Sequence, residues 1–285
     1  MARVQTQTIA IRVIPPQAVP LRQSRDRASA ESADAQLALA LPCRKGETLC
    51  MNTEWSMNSG VTVDVVRVFT DKDGGFGNEL GLVDSSDHTR GREQLIAAAL
   101  GFSETVFVDE VSEGRAHIRI FTPAGELPFA GHPSVGVAWW FARRGVAVTV
   151  LVEKAGDVSV RYDEQFTWIS GRAQWAPTFE WIELPDVAAL DALDPASFTT
   201  GMNYAYCWMD EAGGVVRSRM FGPQHNIVED EATGAAAVAV TTRLGRDLRI
   251  HQGRGSEIVT RQGLDGVVHI GGRTVFDRSL PLPIE

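Results

Sequence analysis

The stretch from Arg119 to Ala138, RIFTPAGELPFAGHPSVGVA, constrains the fold of this chain more than any other. It opens as a strand: Ile118, Ile120 and Phe121 are apolar, and His117 and Arg119 alternate with the two isoleucines. A Pro/Gly-rich loop then delivers Gly131, His132 and Pro133 to the start of a helix. Proline suits that position because its missing N–H would have no partner in a first helical turn. From Ser134 to Phe141 the residues are small or apolar on every side. A helix without a polar face belongs inside a protein. The sequence therefore sets the N–H groups of a buried helix start beside an imidazole, an arrangement suited to an anionic ligand.

The same design occurs again further on. Arg219–Pro223, RMFGP, matches Arg119–Pro123, RIFTP, at its Arg, Phe and Pro. Each copy is followed by a polar loop and a small-residue apolar helix. In the second copy the loop is Glu229-Asp230-Glu231-Ala232 and the helix is Thr233–Leu244. Internal duplication is one reading of this; chance likeness between two strand–helix units is the other.

At 285 residues the chain is long enough for two domains or one large one. A net charge of −9 argues against nucleic acid as a partner, because phosphate binding needs a concentrated basic surface. No apolar run approaches the length that crosses a bilayer. The three cysteines, Cys43, Cys50 and Cys207, form no C-x-x-C pair and are too few for a disulfide framework, so a reducing, cytoplasmic setting is expected.

Residues 1–56 lack sustained periodicity and read as a disordered leader or an over-extended start, with Met51 and Met57 just ahead of the first clear strand. That strand is Val61–Phe69, with a change of phase near Val66 that signals a bulge. The loop Asp73–Asn78 is no dinucleotide fingerprint, since Gly81 arrives one residue late. Arg92–Leu100 reads as a helix ended by Gly101. Thr105–Val108 reads as a strand with Glu104 at its entrance. Beyond the first central helix and its stop at Gly145, Val146–Val152, Val158–Tyr162 and Tyr204–Trp208 read as strands, and Asp186–Ser197 as a weak helix or loop. After the second helix and Gly245, Glu257–Thr260 and Val267–Ile270 form an expected antiparallel pair. Strands and turns dominate, which makes the class α+β.

The chain has no H-E-x-x-H, no Walker loop and no G-x-S-x-G, and its six histidines show no metal-ligand spacing. What remains are ionisable groups near two helix starts: Glu104, His132, Glu229 and Asp230. An acid/base group together with helix-start amides can take a proton from carbon beside a carboxylate or carbonyl and hold the charge that results. Each residue also has a bland reading. Glu104 could be a solvated loop carboxylate, His132 a neighbour of the N-cap, and Asp230 a carboxylate that steadies the helix dipole.

Three stretches, Glu104 in SETVFV, RIFTPAGELPFAGHPSVG and EDEATGAAA, resemble the signature stretches of the phenazine-biosynthesis PhzF family in order and spacing. The likeness runs from about Val61 to the C-terminus. It implies the diaminopimelate epimerase-like fold: two similar domains, each a mainly antiparallel sheet wrapped around a central helix. The corresponding expectation is an N-terminal domain at 57–145 and a shortened C-terminal domain at 146–285. The resemblance also implies a homodimer acting on a small-molecule substrate by proton shifting, with no cofactor and no metal. By position Glu104, His132 and Asp230 match the family's catalytic residues, and Gly131, Gly234, Thr233, Ala235 and Asn78 fall at substrate-binding positions. Epimerases of this fold use paired cysteines at the two helix starts. None stands there here, so Glu104 is the expected proton carrier. The chain departs from the family at Glu79, where proline is frequent, at Ala235, where a small hydroxyl residue is common, and in a short segment from Gly145 to Arg217. These departures keep open a non-catalytic small-molecule-binding or interaction protein on the same fold.

Overall fold

A computed structural model of the chain describes residues Val61–Leu282. The expectations for 1–56 fall outside the described residues. The first strand, β1 (Thr62–Thr70), carries the bulge read near Val66 as a register shift between Val65 and Val66. One order of elements then occurs twice. The first copy runs β2 (Asn78–Asp84), α1 (Glu93–Leu100), β3 (Glu104–Ser112), β4 (Arg115–Phe121), β5 (Glu126–Leu127), α2 (Gly131–Arg143), β6 (Val150–Glu153), β7 (Gly156–Tyr162) and β8 (Thr167–Arg172). The second runs β9 (Glu180–Glu183), α3 (Val187–Asp191), β10 (Asn203–Asp210), β11 (Val215–Gly222), β12 (Ile227–Asp230), α4 (Gly234–Leu244), β13 (Leu248–Gln252), β14 (Ser256–Gln262) and β15 (Val267–Pro281).

Pairing sense repeats with the order. β2 with β3, and β9 with β10, are parallel; β3 with β4, and β10 with β11, are antiparallel. β4 with β6, and β11 with β13, are parallel, and each copy ends in antiparallel hairpins. Arg119 and Arg219 even hold equivalent places, each bonding a carboxylate and lying over the Phe two residues on. The RIFTP and RMFGP segments are thus parts of a structural duplication.

The copies differ in closure. β1 pairs with β2 and with the far part of β15, while β8 pairs with the near part of β15. These pairings close β1, β2, β3, β4, β6, β7, β8 and β15 into a ring around α2. The second copy is an open sheet ending at β9, whose only partner among the described residues is β10. The expected boundary between 145 and 146 therefore cuts the ring, because β6, β7 and β8 pair on the α2 side. The described residues belong to one compact unit. The sequence pattern does not show β2, β13, the short β5 and β12, or the run of β15 on to Pro281, whose partner β1 lies at the other end of the described chain.

Burial follows the apolar pattern. Every residue of α2 from Gly131 to Ala138 is buried. Gly136 lets the helix sit directly on the ring, since a Cβ there would come within 2.5 Å of Leu80 and 2.7 Å of Val68. A close backbone-to-backbone approach joins the two helix starts. A Cβ on Gly131 would lie 2.7 Å from the Gly234 Cα, and a Cβ on Gly234 would lie 2.7 Å from the Gly131 Cα.

Gly234→Ala should therefore drive the helix starts apart at a cost of about 1–3 kcal/mol, the usual range for overpacking. The expected readout is a lower denaturant midpoint with an unchanged slope. Ala239→Ser, on the partly exposed side of α4, serves as the control and should leave the midpoint unchanged. An unshifted midpoint in Gly234→Ala would show that the starts are not in contact.

Candidate active site

Glu104 opens β3 in register with Leu80 of β2, and only 15% of its side chain is exposed. His132 is the second residue of α2 and is more enclosed still, at 5% exposed. Glu104 Oε2 and His132 Nε2 lie 3.3 Å apart, yet neither atom makes a hydrogen bond. Buried polar atoms are rarely left so. His132 also bonds the Glu79 backbone. Because Nε2 has no partner, that bond uses Nδ1–H, which leaves Nε2 as a bare acceptor facing the carboxyl.

Burial dominates the electrostatics. It pushes Glu104 up to about 8, with the charge of Asp230 adding to the effect and a Ser103 hydrogen bond opposing it. Burial lowers His132 to about 3 against the opposing Glu79 bond. At neutral pH the carboxyl is largely protonated and the imidazole is neutral. Asp230 is also raised by burial, with hydrogen bonds from Thr233 and Asn78 pulling the other way.

Asp230, at the end of β12, has a donor on each oxygen. Asn78 Nδ2 donates to Oδ1 at 2.6 Å, and the Thr233 hydroxyl donates to Oδ2 at 2.5 Å. Asn78 Nδ2 also donates to the Ala232 carbonyl, so this amide ties β2 to the loop ahead of α4. The Thr233 hydroxyl further accepts from Gln252 Nε2. The side chains of Asn78 and Thr233 thus hold Asp230 in place. Glu229 pairs with Arg219 and is the solvated, structural carboxylate of the group. Gly131, Gly234 and the partly exposed Ala235 form the two helix starts, and neither start has a side-chain cap. Uncapped first-turn N–H groups are available to an anion. A groove of 430 Å³ beside Trp139 and Phe166 contains none of these residues.

Sequence reasoning overlooked Ser134, Glu153 and Gln252, which brace the helix starts from behind. Ser134 reads from sequence only as the start of the small, apolar run. Glu153 and Gln252 are polar residues at strand ends, a pattern that carries no signal of its own.

The fold is of the epimerase-like class, and comparison with known proteins gives the family and its activity. The model of the family described as "Phenazine biosynthesis-like protein" matches residues 66–198. The trans-2,3-dihydro-3-hydroxyanthranilate isomerase of Pseudomonas chlororaphis is 32% identical over 219 residues, which is 64% of this chain and 78% of the relative. A PhzF-family structure from Enterococcus faecalis superposes with a TM-score of 0.63 at 19% identity, covering 77% of this chain and 97% of that one. A probable proline racemase from Agrobacterium radiobacter superposes at 0.56 with 11% identity, covering 79% and 93%. These two likenesses speak for the fold alone. The chain belongs to the phenazine-biosynthesis PhzF family. It is an isomerase, as its named relatives are, and the non-catalytic alternative is set aside.

The raised Glu104 carboxyl has a consequence for stability. Below about 4.5 both folded and unfolded states are protonated there. Between that value and about 8 the unfolded carboxyl releases its proton and the folded one does not, so stability falls as pH rises. Glu104→Gln removes this effect. The variant should match wild type near pH 5 and exceed it by about 1–3 kcal/mol near pH 8, the scale of a buried polar group left unpaired. An equal difference at both pH values would mean that Glu104 is not held neutral.

Proposed function

We propose that this isomerase shifts a proton on a small carboxylate-bearing metabolite, with Glu104 as its acid/base group. The observation that carries the reading is the pair of unpartnered buried atoms, Glu104 Oε2 and His132 Nε2, facing each other at two helix starts. In the ionised form Glu104 takes hydrogen from a carbon next to a carboxylate or enol system. The C–H bond breaks, an O–H bond forms on Glu104, and the electron pair passes to the substrate's conjugated oxygen. Delivery of a proton from Glu104, whose O–H exchanges with solvent while it is held there, to another carbon completes the shift and restores the carboxylate. A proton carrier that titrates near neutrality suits both steps.

The remaining roles follow from donor and acceptor character. His132 Nε2 accepts from a hydroxyl or amino group of the substrate. The amides of Gly131, Gly234 and Ala235 hold its carboxylate and the developing negative charge. Asp230, fixed by Asn78 and Thr233, keeps the Glu104 carboxyl high and orients the substrate. The two halves act as facing domains, and the same reading extends to a cytoplasmic homodimer that needs no cofactor. The compound for which the Pseudomonas chlororaphis relative is named is the first substrate to try.

The test is solvent hydrogen exchange. Wild-type protein in ²H₂O should place deuterium in the substrate. Glu104→Gln should bind the compound with similar affinity and lose exchange by about 10²–10⁴-fold. Undiminished exchange in Glu104→Gln would remove Glu104 from the mechanism.

A further inference from the structure

The entrance of α2 is braced by a buried carboxyl that the proposed chemistry does not use. Glu153, the last residue of β6, is 6% exposed, and Ser134, in the first turn of α2, is fully buried. The Ser134 hydroxyl oxygen lies 2.6 Å from Glu153 Oε1 and 2.7 Å from the Ala130 carbonyl oxygen. A hydroxyl has one proton, which cannot serve two acceptors. If that proton went to an ionised Glu153, the Ser134 and Ala130 oxygens would face each other with no hydrogen between them. An ionised Glu153 would also be poorly compensated. Its Oε2 has no hydrogen-bond partner, and no neighbouring charge contributes to its titration. Nearby charged groups are engaged elsewhere: Lys154 with Glu126, and Asp157 with Arg115. His132, on the same helix, is held neutral.

We propose that Glu153 is a protonated carboxylic acid that donates to Ser134, that Ser134 in turn donates to the Ala130 carbonyl, and that this relay sets the Gly131 amide at the active site. The Ala130 C=O and the Gly131 N–H share one rigid peptide plane and point in opposite directions. A carbonyl drawn into the helix by the Ser134 hydroxyl, and by the Ser134 N–H at 3.2 Å, turns the Gly131 N–H outward from the helix start. The added bond also polarises that amide toward an anion. Glu153 is thus a positioning residue that acts through Ser134.

The second copy makes the matching connection with an amide. Gln252 ends β13 as Glu153 ends β6, and it is fully buried. Its Oε1 accepts from the Thr233 N–H at 3.2 Å, and its Nε2 donates to the Thr233 hydroxyl at 2.8 Å and the Asp230 carbonyl at 3.0 Å. Thr233 precedes Gly234 as Ala130 precedes Gly131. Glutamine is the permanently neutral counterpart of a protonated glutamate, so both copies carry an uncharged donor–acceptor behind the helix start. Burial pushes Glu153 up to about 8, with the Ser134 bond opposing.

The protonation state stands alone; only the placing of the Gly131 amide at the catalytic site rests on the proposed function. Infrared difference spectra at pH 7 test the first part. Glu153→Gln should remove the carbonyl stretch of a protonated carboxylic acid, and Glu104→Gln should remove a separate one. Amide hydrogen exchange tests the second. Exchange at Gly131 should stay at the wild-type rate in Glu153→Gln and rise about tenfold or more in Ser134→Ala and Glu153→Ala as the brace is lost. Retention of every carboxylic-acid band in Glu153→Gln, or loosening of Gly131 in Glu153→Gln as severe as in Glu153→Ala, would overturn the proposal. If both results hold and Glu104→Gln still exchanges substrate hydrogen, the relay stands and the catalytic reading fails.

Discussion

The contact between Gly131 and Gly234 is the constraint on which the rest of the structure depends. Two helices that meet start to start bring together ends that each carry about half a positive charge. Such a junction is unfavourable in a dry interior unless negative or electron-rich groups collect at it. Here Asp230 sits ahead of one start, Glu104 faces the other, and both starts lack side-chain caps. Glycine at both positions permits the approach, because a Cβ on either would enter the other backbone. The duplication explains how one contact can be symmetric in design. Each copy delivers a strand, a polar loop and an apolar helix to the same junction from opposite sides.

The surroundings of the junction are built to hold it, and only part of them is free to react. Asn78, Thr233 and Gln252 form one connected set around Asp230. Ser134 and Glu153 do similar work behind α2. Facing each other without a hydrogen bond at the junction are Glu104 Oε2 and His132 Nε2. A buried carboxyl with one oxygen unpartnered costs stability, and this one is kept neutral because the low-dielectric site and the Asp230 charge both oppose its ionisation. The arrangement trades stability for a proton carrier near neutrality, as perturbed acids at functional sites commonly do.

Much of this was legible in the sequence because it rests on local pattern. The alternation around Ile118 and Ile120, the apolar run after Pro133 and the stops at Gly101, Gly145 and Gly245 mark elements by short-range rules. The glycines at 101, 145 and 245 adopt the left-handed conformation that such stops require. Closure of the ring was not legible, since β1 and β15 pair across almost the whole described chain and neither strand names its partner. The expected boundary at 145/146 failed for the same reason: a helix stop looks like a domain end until the strands beyond it are seen to pair backward. The bond from Asn78 to Asp230 was not legible either, since it depends on a fold that joins positions 78 and 230. Glu153 was invisible for a simpler reason. A glutamate at a strand end beside a lysine reads as surface, and only the coordinates show it turned inward.

The central claim is that burial at the joined helix starts, helped by the Asp230 charge, keeps Glu104 protonated in neutral solution. Carboxyl-carbon NMR of protein labelled at glutamate, with Glu104→Gln used to assign the resonance, measures this most directly. A Glu104 midpoint near 8 that falls in Asp230→Asn is the predicted result. A midpoint near the ordinary glutamate value, indifferent to Asp230→Asn, would contradict the account.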